Sequence, residues 1–189
     1  MCIVSERTDG MRIISGTRRG HKLAEFDTMD IRPTTDRVRE SLFNLISDFV
    51  NGAKMLDLFG GSGALSLEAL SRGALSGVIC DIDQKAIKLI TFNTEKLKFE
   101  DRLKILSKSA NQFLIENNDA YDIIFLDPPY NKGIIRPIIE EIINKNALSE
   151  DGIIVLESDN TDEHDEFSGL EILKQRKYGR TYITVYKRG

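Results

Sequence analysis

The chain has 189 residues, a formal net charge of −4, 41% hydrophobic and 30% charged side chains, and four prolines. A chain of this length buries a sizeable core, so one globular domain with a small appendage is expected, and disordered, collagen-like and mucin-like classes are excluded. No stretch approaches the roughly 20 apolar residues of a membrane span and the first ten residues lack the apolar run of a signal peptide, so a cytoplasmic protein with no membrane contact is expected.

Cys2 and Cys80 are the two cysteines, and Cys80 sits in an apolar run that reads as a buried strand. With no CxxC or HExxH, and with His21 and His164 far apart, neither a disulfide framework nor a metal centre is expected. Charge is distributed unevenly. Arg12, Arg18, Arg19 and Lys22 fall in a stretch without acids, as do Lys174, Arg176, Lys177, Arg180, Lys187 and Arg188, whereas residues 157–171 hold seven acids and no Lys or Arg. A polyanion can bind a basic face of an acidic protein, although solvated surface explains charge alone equally well.

Residues 1–10 show no periodicity and are expected to be a disordered extension. Residues 12–15 and 21–26 flank Gly16-Thr17-Arg18-Arg19-Gly20 and read as a β-hairpin with a basic tip. After Pro33, Thr34 or Thr35 can cap a helix carrying Val38, Leu42, Leu45, Ile46 and Phe49 at helical spacing. Residues 11–50 thus form an appendage to a main domain, 51–189. There, strands 54–59, 77–82, 103–106, 121–126 and 152–157 alternate with helices 62–72, 83–97, 109–116 and 133–143. This repeat predicts a mostly parallel sheet covered on both faces. Residues 170–178 and 181–187 leave no room for a helix between them and read as a terminal antiparallel hairpin.

Two segments carry chemistry. The first, Asp57-Leu58-Phe59-Gly60-Gly61-Ser62-Gly63, joins the first parallel strand to a helix, where ligands bind in such sheets. It lacks a complete GxGxxG and has no GKT or GKS, which argues against a dinucleotide or a P-loop. S-adenosylmethionine fits better: Asp57 can pair with its ammonium, and Asp81 can accept from its ribose hydroxyls at the next strand end. Asp83 suits helix capping. The second is Asp127-Pro128-Pro129-Tyr130, after strand 121–126. Its prolines remove two backbone donors and leave an acceptor-rich corner for an exocyclic amine on a flat base. Asp127 and the Pro128 carbonyl would accept the amine's N–H groups while Tyr130 stacks on the base.

The chain resembles the bacterial RsmD-type 16S rRNA (guanine-N2) methyltransferases in residues 11–16 (MRIISG), 32–40 (RPTTDRVRE), 57–65, 68–74 and 127–130. The glycine loop and DPPY occur in many amino-methyltransferases, whereas RPTTDRVRE is more specific. The resemblance implies a class I methyltransferase fold, Rossmann-like, α/β, with seven strands, the last antiparallel. It implies that Arg32, Thr34 and Thr35 approach the methionine end of the donor. It extends the donor site to Phe59, Gly60, Gly61, Ser62, Gly63, Ile82, Ser109 and Ala110. Ser109 stands where such enzymes usually carry an Asp that receives the adenine amine. The catalytic set expected is Asp127, Pro128, Pro129 and Tyr130. The substrate implied is 16S rRNA; a small-subunit particle is expected over naked RNA, and a monomer over an oligomer, with both alternatives left open by the sequence. Alternatives are amino-methylation of DNA adenine or cytosine, for which the chain has no room for a separate recognition domain, and a silent RNA-binding assembly factor. RNA contacts are expected from Arg18, Arg19, His21 and Lys22, on a hairpin over the active-site rim, and from Arg37 and Arg180.

Overall fold

The structure, a computed structural model, describes residues 4–5, 10–26, 36–128, 133–158 and 166–189. Its centre is a seven-stranded sheet. Strands β3 (Lys54–Asp57), β4 (Ser76–Asp81), β5 (Leu103–Ser107), β6 (Tyr121–Leu126) and β7 (Leu148–Ser158) run parallel. β8 (Leu170–Tyr178) and β9 (Thr181–Arg188) complete it in the order β5-β4-β3-β6-β7-β9-β8, with β9 antiparallel to both neighbours. The chain leaves β3 toward one edge and returns to β6 on its other side. The carboxyl ends of β3 and β6 therefore flank the switch point, where open α/β sheets bind ligands.

Side chains alternate faces along each strand. Met55, Ile79, Phe125, Val155 and Ile183 pack in one apolar cluster with residues of α1 (Asp36–Leu45), α3 (Ala64–Ser71) and α4 (Gln84–Leu97). Leu56, Cys80, Ile124, Leu126 and Leu156 pack on the other face with α5 (Ala110–Glu116) and α6 (Ile135–Asn144). On α6, Ile135, Ile138, Ile139 and Ile142 recur at helical spacing and are all buried. Each contributes about 2 kcal/mol of apolar burial.

The ends of the elements follow their caps. Asp83 accepts the Lys85 N–H at 2.8 Å and starts α4, one residue later than the sequence pattern suggests. Ser109 and Gln112 form a reciprocal capping box on α5. The helix expected after Pro33 is interrupted at Ile46, with α2 (Ser47–Val50) following, while its expected capping threonines lie outside the described residues. β7 begins four residues before the expected 152, because a register shift between Tyr121 and Ile123 lets Leu148 join the ladder.

The N-terminal segment departs most from expectation. Val4–Ser5 (β1) pairs antiparallel with Glu25–Phe26 (β2), so part of the first ten residues is tied into a small ladder. The hairpin keeps only the Arg12–Lys22 bridge with its flanking backbone bonds, including Ile13 N–H to the His21 carbonyl at 2.9 Å. Beyond it, the Ile14 and Ser15 N–H groups donate to the buried Glu68 carboxylate on α3 at 2.7 and 3.0 Å. A side chain of the domain has replaced the partner strand. Gly16, at φ +81°, lies so close to α3 that a Cβ there would sit 1.8 Å from the Ser71 carbonyl oxygen.

Candidate active site

Four carboxylates lie at the carboxyl ends of neighbouring strands, Asp57 being level with Ile79 and Phe125 and so two residues back from Asp81 and Asp127. Asp57 is two residues past Met55, Asp81 past Ile79, Asp127 past Phe125 and Glu157 past Val155. The period of two places all four on the face covered by α1, α3 and α4.

Asp57 is buried; its Oδ1 accepts the Phe59 N–H at 3.3 Å and its Oδ2 the Ser66 hydroxyl at 2.9 Å. Burial pushes its carboxyl up to about 6, against the pull of those hydrogen bonds. The glycine loop turns tightly beside it. Gly60 donates to the Cys80 carbonyl at 2.9 Å, Gly63 to the Gly60 carbonyl at 2.7 Å, and Gly63, at φ +79°, opens α3. Asp81 holds this loop: its Oδ2 accepts the Gly61 N–H at 2.8 Å and its Oδ1 the Asp83 N–H at 2.8 Å. A loop N–H that could have faced a phosphate is thus occupied by a carboxylate, so the lining favours a cationic, phosphate-free ligand.

Phe59 and Ser62 are partly buried on the loop, and Ile82 is 72% exposed just beyond Asp81. An apolar side chain so exposed at a strand end offers a face for a flat ligand group. Ser109 has its oxygen engaged with the Gln112 N–H at 3.2 Å, and Ala110 is buried behind it. Helix capping is therefore the work the structure gives Ser109. Asp127 follows β6 and keeps some exposure, with the buried Pro128 after it. Burial first, then the charges of Glu157 and Asp57, hold the Asp127 carboxyl well above the usual range. Arg32, Thr34, Thr35, Pro129 and Tyr130 lie outside the described residues.

The expected RNA contacts separate. The basic tip does not lie over the rim. Arg18 donates its backbone N–H to the Ser71 hydroxyl at 3.0 Å and its Nε–H to the Leu97 carbonyl at 2.7 Å, with its guanidinium 5.2 Å from the Phe99 ring centre. Ser71 and Leu97 end α3 and α4, whose N-termini face the ligand end of the sheet, so the tip is about 10 Å from the glycine loop along α3. The physical reason is the docking on Glu68 and Ser71 described above. Arg19, His21 and Lys22 are exposed on this hairpin, and Arg37 is exposed on the first turn of α1. Arg180 occupies the β8–β9 turn, which register places at the ligand end: Tyr182 pairs with Ser158, the last residue of β7.

Sequence reasoning missed Ser66, Glu68, Asn93 and Glu157. Asn93 Nδ2 donates to the Ala24 and Ser62 carbonyls at 3.1 and 3.3 Å, and its Oδ1 accepts the Ala24 N–H at 2.7 Å. It fastens the open end of the hairpin to the glycine loop. Its position in the apolar stripe Leu89, Ile90 and Leu97 is the one signal that it is buried and bonded.

The family model described as "Conserved hypothetical protein 95" matches residues 11–187, spanning hairpin and sheet. The chain belongs to this RsmD-type methyltransferase family. It is 37% identical over 149 residues to the ribosomal RNA small subunit methyltransferase D of Escherichia coli K12, covering 79% of this chain and 75% of that protein. The yhhF chain of Escherichia coli has the same architecture, with a TM-score of 0.86 at 32% identity over 94% of this chain and 97% of that one. The SAH-bound methyltransferase PaMTH1 of Podospora anserina shares the fold at 17% identity, with a TM-score of 0.68 over 82% of this chain and 80% of that one. The class I methyltransferase fold read from the sequence is the one present. In this RsmD-type chain the family match begins at residue 11, so β1 lies ahead of it.

Proposed function

We propose that the protein transfers a methyl group from S-adenosylmethionine to the exocyclic N2 amine of a guanine in 16S rRNA of the small ribosomal subunit. The observation that carries this reading is the pair of acids Asp57 and Asp127 at the two strand ends flanking the switch point, both on one face. The rRNA methyltransferases in the family support the substrate class.

The residues fit the donor. Asp57 would meet its ammonium, Asp81 its ribose hydroxyls through lone pairs left over from the two loop bonds, and Ile82 with Ala110 its adenine. When bound, S-adenosylmethionine supplies a sulfonium methyl, whose carbon–sulfur bond breaks with its electron pair left on sulfur as the amine lone pair takes the carbon. The chain's own contribution is at the amine. Guanine's N2 lone pair is delocalised into the ring, and an ionised Asp127 accepting one N–H localises it on nitrogen. Pro128 and Pro129 have no N–H to compete for the same acceptors. Once methylated, the nitrogen sheds one N–H proton, which the Asp127 carboxylate can receive. The raised affinity of Asp127 for a proton suits that step, and positioning provides much of the remaining acceleration.

Mass mapping of modified nucleosides in rRNA from cells with and without the protein tests this. One N2-methylguanosine in the small-subunit RNA should disappear with the gene and return on incubation with pure protein and donor. An unchanged map would overturn the assignment.

A further inference from the structure

Ladder register joins the reactive acid to a basic edge three strands away. Leu126 pairs with Leu156, so Asp127 and Glu157 are next in line. Glu157 pairs with Ile183, and Ile183 with Arg176. Asp127, Glu157, Ile183 and Arg176 therefore form one row across β6, β7, β9 and β8. Directly paired residues share a face, and Ile183 belongs to the cluster against α1 and α3. Arg176 thus stands on the same face as Asp127, three strand spacings away, or about 14 Å.

The basic residues of the last two strands divide into two groups. Lys174 donates to the Leu45 carbonyl at 2.6 Å, Lys187 pairs with Glu171 at 2.7 Å, and Arg188 donates to the Leu148 carbonyl at 2.8 Å. These three are occupied within the fold. Arg176, Lys177 and Arg180 are exposed at the ligand end; Arg176 Nη1 donates to the carbonyl of its own neighbour Gln175 at 2.8 Å, which ties it to no other element, and Lys177 Nζ lies 4.8 Å from the Tyr182 ring centre. Among the described residues, none of the three takes part in an ion pair. The other basic cluster, on the N-terminal hairpin, has its tip at the opposite end of α3.

We propose that Arg176, Lys177 and Arg180 on the β8–β9 hairpin are the surface that grips the RNA backbone beside the target base. This rests on the RNA substrate proposed above. A distance of about 14 Å corresponds to about four stacked nucleotides of one strand, so the hairpin meets phosphates flanking the base held at Asp127. Arg176 on the Asp127 face, Lys177 on the other face of β8 and Arg180 at the turn beside them fix the strand's path at this edge of the sheet without reading its sequence.

The test uses the full chain with Arg176→Gln, Lys177→Gln and Arg180→Gln combined, beside a control carrying Arg19→Gln and Lys22→Gln. Small-subunit particles and naked 16S rRNA from cells lacking the gene serve as substrates. The triple variant should raise KM for RNA at least tenfold at 0.15 M salt, with kcat and donor affinity near wild type. Its slope of log affinity against log salt should flatten by about 2, since three single-strand phosphate contacts are lost. The control should change neither quantity. A triple variant with wild-type KM and slope overturns this surface while the wild type's methylation of guanine sustains the function. A wild type that neither binds nor methylates the RNA overturns both.

Discussion

The Ser66 hydroxyl donates to Asp57 Oδ2 from within the helix that the glycine loop opens, and this bond opposes the burial that pushes Asp57 up to about 6. Because the folded-state value is raised, the folded chain binds a proton more readily than the unfolded one between about pH 4 and 6. Asp57 therefore favours folding below about pH 4 and loses that contribution as pH rises through 6. Donor binding has the opposite dependence, since the ammonium needs the ionised form. Calorimetric affinity for S-adenosylmethionine should be about tenfold weaker at pH 5 than at its plateau. Ser66→Ala should move the midpoint to higher pH. Affinity independent of pH from 5 to 8 would remove Asp57 from the ammonium site.

Glu68 is fully buried and accepts from three donors: the Ile14 and Ser15 N–H groups and Arg72 Nε at 2.6 Å. Glu68→Ala leaves those donors and the Arg72 charge without their acceptor, a change that costs about 3 to 5 kcal/mol. Urea denaturation should show that loss. Proteolysis of the folded variant should cut first within residues 10–24, because Glu68 is what docks that segment. A variant within 1 kcal/mol of wild type, cut no faster, would show that the apolar contacts of Ile13 and Leu23 suffice.

The alternation of β-strands and helices was legible because each strand is a short apolar run and each helix has one apolar stripe. Residues 121–126 and 170–178 have the same bounds in the sequence pattern and in the fold. Asp57, Asp81 and Asp127 could be proposed as site residues from the sequence because strand ends next to turns are where such sheets bind ligands. What failed was local inference for residues whose partners are distant. A hairpin pattern at 12–26 does not reveal that Ile14 and Ser15 bond to a glutamate more than 50 residues away. Seven of the eight residues of α3 are buried, so Ser66 and Glu68 carry no polar-face signal. Glu157 opens an acidic run in the sequence, and nothing in that run shows that it pairs with Ile183 inside the sheet.

Asp127 is held above the usual carboxylate range by burial and by Glu157 and Asp57. Asp127→Ala should abolish methyl transfer by a factor of at least 100 while donor affinity stays near wild type, as expected for a group acting only on the amine. In the wild type the single-turnover rate should climb with pH as Asp127 ionises. Glu157→Gln removes a neighbouring negative charge, so that rise should begin at lower pH. Equal pH profiles for wild type and Glu157→Gln would show that Asp127 titration does not limit the rate.

The two adjacent arginines of the N-terminal tip should behave differently. Arg18 donates to the Leu97 carbonyl at the C-terminal end of α4 and covers the Phe99 ring, whereas Arg19 is exposed. A charged hydrogen bond at a helix C-terminus together with a cation–π contact is worth about 2 kcal/mol. Arg18→Ala should lower unfolding free energy by that amount in chemical denaturation, and Arg19→Ala by less than 0.5 kcal/mol, as is usual for an exposed side chain. Neither change should alter the salt dependence of RNA binding, because the tip lies at the end of α3 away from the glycine loop. If Arg19→Ala left stability intact but flattened the salt slope, the tip would be an RNA contact, and the substrate would have to reach around the hairpin to that end of the molecule.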